Sequence, residues 1–539
     1  MSEAASPFRA VRRSLTEVAG ADYLAAVCAA RAALTGEEPA ALRQRADAPV
    51  DWYPAAFHQR LLARLPQVGT PLIPGATATA AGATSRAFAA ATARAAAPLT
   101  GYGFYRVGED GRLYLTTKSE HYHAPLGHAF PGYALLETAR ALGIPNATHN
   151  NTRGHLTRLL EEELVRAAHL PADLSAEARS AKADDLAPVL AAGGLQSLNR
   201  VFNLETGSLA VEAGVKLMLA RHYRIQADAP APPYAGRVPV FLVMGNDDGG
   251  LQANYHGTTV LTQLMRGMWP DLAACLEAEE LLRVCPIRPN RLEDLDAAFA
   301  RYEGGPYKIA GFLHEIIMMN YGARVLSREF LHHAYALCAR HDVPTLVDEI
   351  QSCLWAPGLF LFREWGLRPS CVALGKGFPG GEYPASRLLF SAALDTLPQF
   401  GALVTNGQEE LASLAYLITM QWAQANADVV RQIGDAYEAQ VRALAARYPE
   451  TIAGITGGRH LLGLEFHELA AARAFTGALN RAGFDISAQT YKADCPPVAL
   501  TKLPLTACPT VVDFIVGRMA EALAGVAESN TPSRVLPRA

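Results

Sequence analysis

The stretch from Thr345 to Ser386 has the clearest chemical content in the sequence. An apolar run ends in Asp348-Glu349, and Gln351 follows three residues after Asp348. Twenty-eight residues beyond Asp348, Val372-Ala373-Leu374 leads into Gly375-Lys376-Gly377, with Gly380-Gly381 close behind. A lysine between glycines at the end of an apolar run has an unobstructed primary amine. Taken alone, Gly-Lys-Gly reads as a surface turn with a solvated lysine. The strand-terminal acid upstream sets this turn apart, because ligands collect where strands of an α/β sheet end.

Lysine is scarce: only seven of the 48 basic residues are lysine, so chemistry that needs a primary amine has seven candidates. Besides Lys376 they are Lys118, Lys182, Lys216, Lys308, Lys492 and Lys502. The skew itself is a compositional habit and does not say which one is used.

Elements that alternate in type must position these groups. Val238–Met244, Ile309–Glu315 and Pro344–Asp348 read as strands, and Leu198–Phe202 as a short, partly apolar segment. Leu209–His222 and Arg328–Arg340 read as helices between them, which argues for a mostly parallel sheet. Tyr102–Thr117, broken at Gly108-Glu109-Asp110-Gly111, reads as a hairpin. Tyr23–Leu34 and Leu156–Ala168 have helical patterns, and Gly69–Gly82, with Pro71 and Pro74, reads as a loop. Val404–Gln424 reads as a long connecting helix preceded by a loop, and residues 430–527 alternate again as a smaller lobe.

Composition narrows the class. Of 539 residues, 50% are hydrophobic and 19% charged, with a net charge of -4, so a large core is affordable and a dedicated nucleic-acid binder is disfavoured. The eight cysteines form no Cys-x-x-Cys pair, which fits a reducing compartment. No apolar run of about 18 residues suggests a membrane span, and the N-terminus lacks a secretory pattern. The expected location is cytoplasmic. His121, His123 and His128 could be imagined as a metal site, but no metal-binding spacing supports them.

The ordered motifs resemble the class III aminotransferases, pyridoxal-phosphate enzymes of fold type I. The Asp348 segment resembles the family's D-E-[IV]-Q-[ST] pattern followed by G-K-G. Asn203–Arg221 (NLETGSLAVEAGVKLMLAR) is similar to its N-S-G-T-E-A-x-E stretch, and Asn254–Thr259 (NYHGTT) to its aromatic-H-G-R-T. Thr405–Ala412 (TNGQEELA) resembles T-x-G-G-N-x-L-A, and the PLGHAFP stretch before residue 132 resembles the start of the family's small domain. The resemblance runs over roughly residues 100 to 525.

It implies an α/β fold: a large, mostly parallel sheet domain plus a smaller α/β domain built from N- and C-terminal segments. The expected boundaries are an Ala/Arg-rich helical extension over 1–95, the first part of the small domain over 96–165 and the large cofactor-binding domain over 166–405. The connecting helix and C-terminal small domain follow over 406–528, with a tail over 529–539. It also implies roles. Lys376 would bind pyridoxal 5'-phosphate as a Schiff base and later move the α-proton; a free lysine of pKa ~10.4 is neutral about once in a few thousand molecules at pH 7. Asp348 would face the pyridine nitrogen and Gln351 the phenolic oxygen. Thr206, Gly207 and Ser208, at a helix start, would hold the phosphate, although the same residues make an ordinary N-cap. Tyr255 would stack on the ring, and Thr405 would reach the phosphate of a neighbouring subunit, implying a homodimer with a shared active site. Glu315 matches a family glutamate, with a structural role equally open.

Three departures bear on substrate. Leu209 stands where the family has Glu. Cys353-Leu354-Trp355-Ala356-Pro357-Gly358 is more apolar than the usual loop and suggests an altered substrate mouth. Leu500 occupies the place of an arginine that grips a substrate carboxylate, leaving Lys502, two residues on, as a monodentate substitute or a solvated lysine. The expected function is amino transfer between an amine or amino acid and a keto acid or aldehyde. A lyase, decarboxylase, racemase or epimerase on the same scaffold is the alternative, and a non-catalytic relative is a third.

Overall fold

A computed structural model describes residues 6–117, 124–147, 150–169, 186–489 and 495–530. Lys118, Lys182, Lys492, His121 and His123 lie outside the described residues. By contacts the chain forms two units. One contains Met1–Arg9, Tyr53–Phe130 and Val429–Ala539, and the other Ala10–Trp52 and Pro131–Asp428.

The larger unit is built on a seven-stranded sheet. Its strands are β1 (Leu198–Leu204), β2 (Val238–Met244), β3 (Arg283–Ile287), β4 (Tyr307–His314), β5 (Thr345–Asp348), β6 (Cys371–Leu374) and β7 (Ser386–Ser391). They lie in the order β1-β7-β6-β5-β4-β2-β3. Strand pairs from β6 through β3 are parallel, and β7 runs antiparallel between β6 and β1. Every residue of β2, β5, β6 and β7 is buried, as expected of strands covered on both faces. Helix α1 (Gly207–Leu219) follows β1 and packs Val211, Val215 and Met218 onto the sheet core.

Part of the N-terminal segment packs into the larger unit. His155 Nε2 lies 2.8 Å from the Ala19 carbonyl, and its ring stacks on Tyr23 at 4.2 Å. Trp52 is fully buried, and its amide donates to the Val11 carbonyl at 2.9 Å. Residues 10–52 are thereby tied to the helix His155–His169 and join the larger unit. A second device fixes the same helix. The buried Glu410 carboxylate accepts from Leu156 N at 2.8 Å and from Thr157 N at 3.1 Å, satisfying amides that the first turn leaves open. Glu161, on the same helix, accepts from Asn203 Nδ2 at 2.5 Å, and burial raises its carboxyl pKa.

The smaller unit holds two four-stranded sheets. One pairs Ile452–Gly458, Leu461–Phe466, Val498–Lys502 and Ser487–Ala488 antiparallel in that order. The other contains the hairpin Tyr105–Gly108 and Leu113–Thr116, flanked by Pro98–Tyr102 and Phe484–Asp485. This unit therefore joins an N-terminal and a C-terminal segment of the chain. His128 sits in a bridge to Gly103, and its ring occupies the space above Gly101, where a Cβ would come within 2.4 Å. Among the described residues no cluster could hold a metal ion, and no helix is long and apolar enough to cross a membrane.

Candidate active site

Strands β5 and β6 are parallel neighbours with Asp348 opposite Ala373. Asp348 and the Gly375-Lys376-Gly377 turn therefore emerge from the same edge of the sheet, where the helix dipoles and loops of an α/β fold converge. Asp348 is buried, and each of its oxygens is held. Oδ1 accepts from Ile350 N at 3.0 Å, and Oδ2 accepts from His256 Nδ1 at 2.8 Å. A carboxylate can only accept, so the proton of this contact is on His256 Nδ1. The other ring nitrogen, Nε2, is buried with no hydrogen-bond partner among the described residues.

Lys376 is half-buried and has φ 42°, the left-handed region that side-chain-bearing residues seldom adopt. The surrounding packing enforces it. Gly375 has no room for a Cβ, which would lie 2.3 Å from Ser386 Oγ. Behind Gly377 lie Leu354 and Trp355, both almost fully buried. The loop Cys353–Gly358 turns inward because its apolar side chains pack beneath the lysine turn.

Helix α1 starts beside this edge. Thr206 is its N-cap and accepts from Leu209 N at 3.4 Å, leaving the Gly207 and Ser208 amides without partners inside the helix. A Cβ on Gly207 would come 2.8 Å from Ile350 Cδ1, so the helix start lies directly against the residue that precedes Gln351. Gln351 itself is buried. The segment Tyr255-His256-Gly257-Thr258 crosses the same helix start, with Thr258 N donating to Ser208 Oγ at 3.1 Å. Gly257 has φ +135°, and a Cβ there would lie 2.6 Å from Ser208 Oγ. Tyr255 is half-buried with the Arg266 guanidinium 4.9 Å from its ring centre. Thr405 is exposed in the loop whose Gly407 packs against Leu204 at the end of β1.

The structure thus gathers Lys376, Asp348, Gln351, Thr206, Gly207, Ser208 and Tyr255 at one edge of the larger unit, through the contacts of Ile350, His256 and Gly257. Lys502 belongs to the smaller unit, on the strand Val498–Lys502. It is fully buried, which overturns the solvated reading, and its backbone amide donates to Thr117 O at 2.8 Å. Leu500 is buried on the same strand, opposite Gly463 and Ser487.

Two residues given no role from the sequence have clear ones. His256 is the partner of Asp348; its signal was a histidine beside the aromatic residue of the Asn-Tyr-His-Gly stretch. Glu349 is fully buried and accepts from Leu361 N at 2.9 Å and Phe362 N at 2.5 Å, tying down the far end of the apolar loop. Burial pushes its carboxyl up to about 7, against the lowering effect of those amides. His314, at the end of β4, is held well below the usual imidazole range, to about 3, chiefly by burial, and pairs with Tyr335 Oη at 3.1 Å. Glu315 next to it is also buried.

Comparison with known proteins agrees with this geometry. The family described as Aminotransferase class-III matches residues 100–492. An ornithine aminotransferase of Halalkalibacterium halodurans is 30% identical over 212 residues, 38% of this chain and 46% of the relative. An acetylornithine aminotransferase of Thermosynechococcus vestitus is 25% identical over 342 residues, 61% of this chain and 76% of the relative. The alignments with the first two curated relatives span only 40% and 46% of their lengths. The crystal structure of the ornithine aminotransferase from Toxoplasma gondii shares the fold, with a TM-score of 0.60, 18% identity and coverage of 80% of this chain and 91% of that one. A phospholyase from Arthrobacter, in complex with phosphoethanolamine, has the same fold at a TM-score of 0.60 and 17% identity, covering 79% of this chain and 94% of that one. With 393 consecutive residues matched by the family profile and the lysine, carboxylate and helix start assembled at one sheet edge, the chain belongs to the class III aminotransferases.

Proposed function

We propose that the chain is a pyridoxal-phosphate-dependent aminotransferase, a cytoplasmic homodimer that moves an amino group between an amine or amino acid and a keto acid or aldehyde. The observation that carries this reading is the pair of adjacent strand ends. β5 ends in the His256-bonded Asp348, and β6 leads into the turn of Lys376. The donor set suits the cofactor. A carboxylate answers a ring nitrogen, a lysine an aldehyde, and two uncommitted amides at a helix start a phosphate. His256 Nε2 supports it as a buried polar atom with no protein partner among the described residues.

Pyridoxal phosphate, when bound, supplies an aldehyde that captures amines and a ring that takes up the electrons released at the neighbouring carbon. Asp348 would keep the ring nitrogen protonated, and His256 fixes the carboxylate through Oδ2. Lys376 Nζ would meet the aldehyde and hold the proton that leaves the substrate. Gln351 would face the ring oxygen, Tyr255 would cover the ring, and Thr206, Gly207 and Ser208 would hold the phosphate. Thr405 would serve the phosphate of a second copy.

The substrate reading follows from the strand Val498–Lys502, which contains no arginine and buries Leu500 and Lys502. That strand offers no guanidinium fork for a carboxylate, which favours a substrate gripped differently and keeps the lyase, decarboxylase, racemase and epimerase outcomes as the second reading. Purified protein should be yellow and should lose the colour when borohydride fixes the cofactor on Lys376. An identical reducible adduct in Lys376→Ala would overturn the assignment. An amino donor added without acceptor should stop after one equivalent of product. Continued turnover would establish the second reading instead.

A further inference from the structure

The smaller unit contains a cavity of about 630 Å³ between the helix Ala55–Arg64 and the strands Pro98–Tyr102 and Tyr105–Gly108. None of its lining residues is the lysine, acid or helix start described above, and all of them lie between Arg60 and Leu113. Three of them are arginines: Arg60, Arg64 and Arg106. None of the lining residues is Asp or Glu. Arg60 and Arg64 are four residues apart on one helix and so project from the same face.

Of the three charges in this cavity, one has a carboxylate partner among the described residues. Arg106 is only 3% exposed, and its Nη2 lies 3.2 Å from Asp485 Oδ2. Neither Arg60 nor Arg64 pairs with a carboxylate among the described residues. Arg64 Nη1 donates to Gln67 Oε1 at 2.8 Å, and the Arg60 guanidinium lies 5.9 Å from the centre of the Tyr102 ring. Tyr102 Oη is buried and makes no hydrogen bond among the described residues. Leu72, Val107 and Leu113 supply apolar wall. Three planar cations around one cavity repel each other unless an anion joins them, and guanidinium forks suit carboxylate and phosphate oxygens.

We propose that this cavity binds a compact organic dianion, either a dicarboxylate or a phosphomonoester, with its charged ends on Arg60, Arg64 and Arg106 and its carbon body against the apolar wall. The site is independent of the proposed reaction, since none of its residues belongs to the Lys376 set. A monoanion would leave part of the arginine charge unmatched. A body of three or four carbons separates two anionic ends enough for more than one guanidinium to be engaged.

Calorimetric titration of the cofactor-loaded, full-length protein tests this with succinate, glycerol phosphate and acetate at matched ionic strength. One or both dianions should bind saturably at one per chain, and acetate at least about tenfold more weakly. Whichever dianion binds identifies the anionic group recognised. The double variant Arg60→Gln, Arg64→Gln removes two exposed side chains, and its melting temperature without ligand serves as the check that it folds. It should weaken the dianion about tenfold or more, while Lys376→Ala should leave that affinity unchanged. Binding no tighter than acetate, equal binding by the folded double variant, or loss of binding in Lys376→Ala would each overturn the proposal.

Discussion

His256 Nδ1 lies 2.8 Å from Asp348 Oδ2, and the two side chains are 1% and 7% exposed. The imidazole fixes the carboxylate that the proposed chemistry needs ionised and correctly aimed. His256→Phe preserves a ring of similar size and removes the N–H. We expect kcat to fall roughly tenfold to a hundredfold, and Asp348→Asn to cost roughly a hundredfold to a thousandfold. Steady-state kinetics on cofactor-saturated protein check both, and a His256→Phe enzyme with wild-type kcat would show that Asp348 needs no such support.

Gly257 marks where the backbone passes closest to α1. Alanine there would combine a φ of +135° with a Cβ 2.6 Å from Ser208 Oγ. The expected cost is on the order of 1–3 kcal/mol of stability. It should be accompanied by weaker cofactor retention, because Ser208 is the residue displaced. Thermal melts with and without cofactor separate the two effects. A loss equal in both states would place the damage outside the cofactor site.

Glu349 gives the fold a pH dependence of calculable sign. Burial raises its pKa from the ordinary 4.5 to about 7 in the folded protein. Between those values the folded chain keeps a proton that the unfolded chain has released, so the contribution of Glu349 to stability is complete below about pH 4.5 and is lost as pH rises through about 7. Glu349→Gln keeps a carbonyl acceptor for one of the Leu361 and Phe362 amides, at the cost of an NH2 facing the other, and cannot titrate. Denaturant melts from pH 5 to pH 8 should show the wild type losing stability relative to this variant as pH rises; parallel curves would refute the assignment.

Trp355 supports the lysine turn from below. Trp355→Ala would open a cavity beneath Gly377 at a cost of about 3–5 kcal/mol, with part of the damage passed to Lys376. The visible band of bound cofactor should shift or broaden at temperatures well below the melting transition. A variant that is merely less stable, with an unchanged band and kcat, would assign Trp355 to packing alone.

How much of this was legible in the sequence varied with the distance over which each feature acts. The strand Val238–Met244 and the helix Arg328–Arg340 have the same ends in the sequence reading and in the structure, because each shows its own apolar pattern. Lys376 and Asp348 were readable because each terminates an apolar run. The bond from His256 to Asp348 spans 92 residues and leaves no local trace. The antiparallel position of β7 between β6 and β1 is likewise a tertiary outcome, as buried strands of either direction read alike. The docking of residues 10–52 was hidden for another reason. The helix Ala21–Thr35 is alanine-rich on all sides, so no face declares itself, and the stacking of Tyr23 on His155 that helps to hold it joins residues far apart in the sequence. The inward packing of Cys353–Gly358 was not legible either, because an apolar loop beside a site suits a substrate or a core.

The cap that Glu410 places on the helix His155–His169 has a consequence for biosynthesis. That helix leaves the ribosome about 250 residues before its capping side chain exists. At roughly 5–20 residues per second, the delay is on the order of ten to fifty seconds. Throughout it the first turn keeps its open amides, and the helix Glu410–Ala425 that packs on it is still to be made. A nascent chain stalled before residue 410 should therefore depend on a chaperone at this helix in a way that the released protein does not.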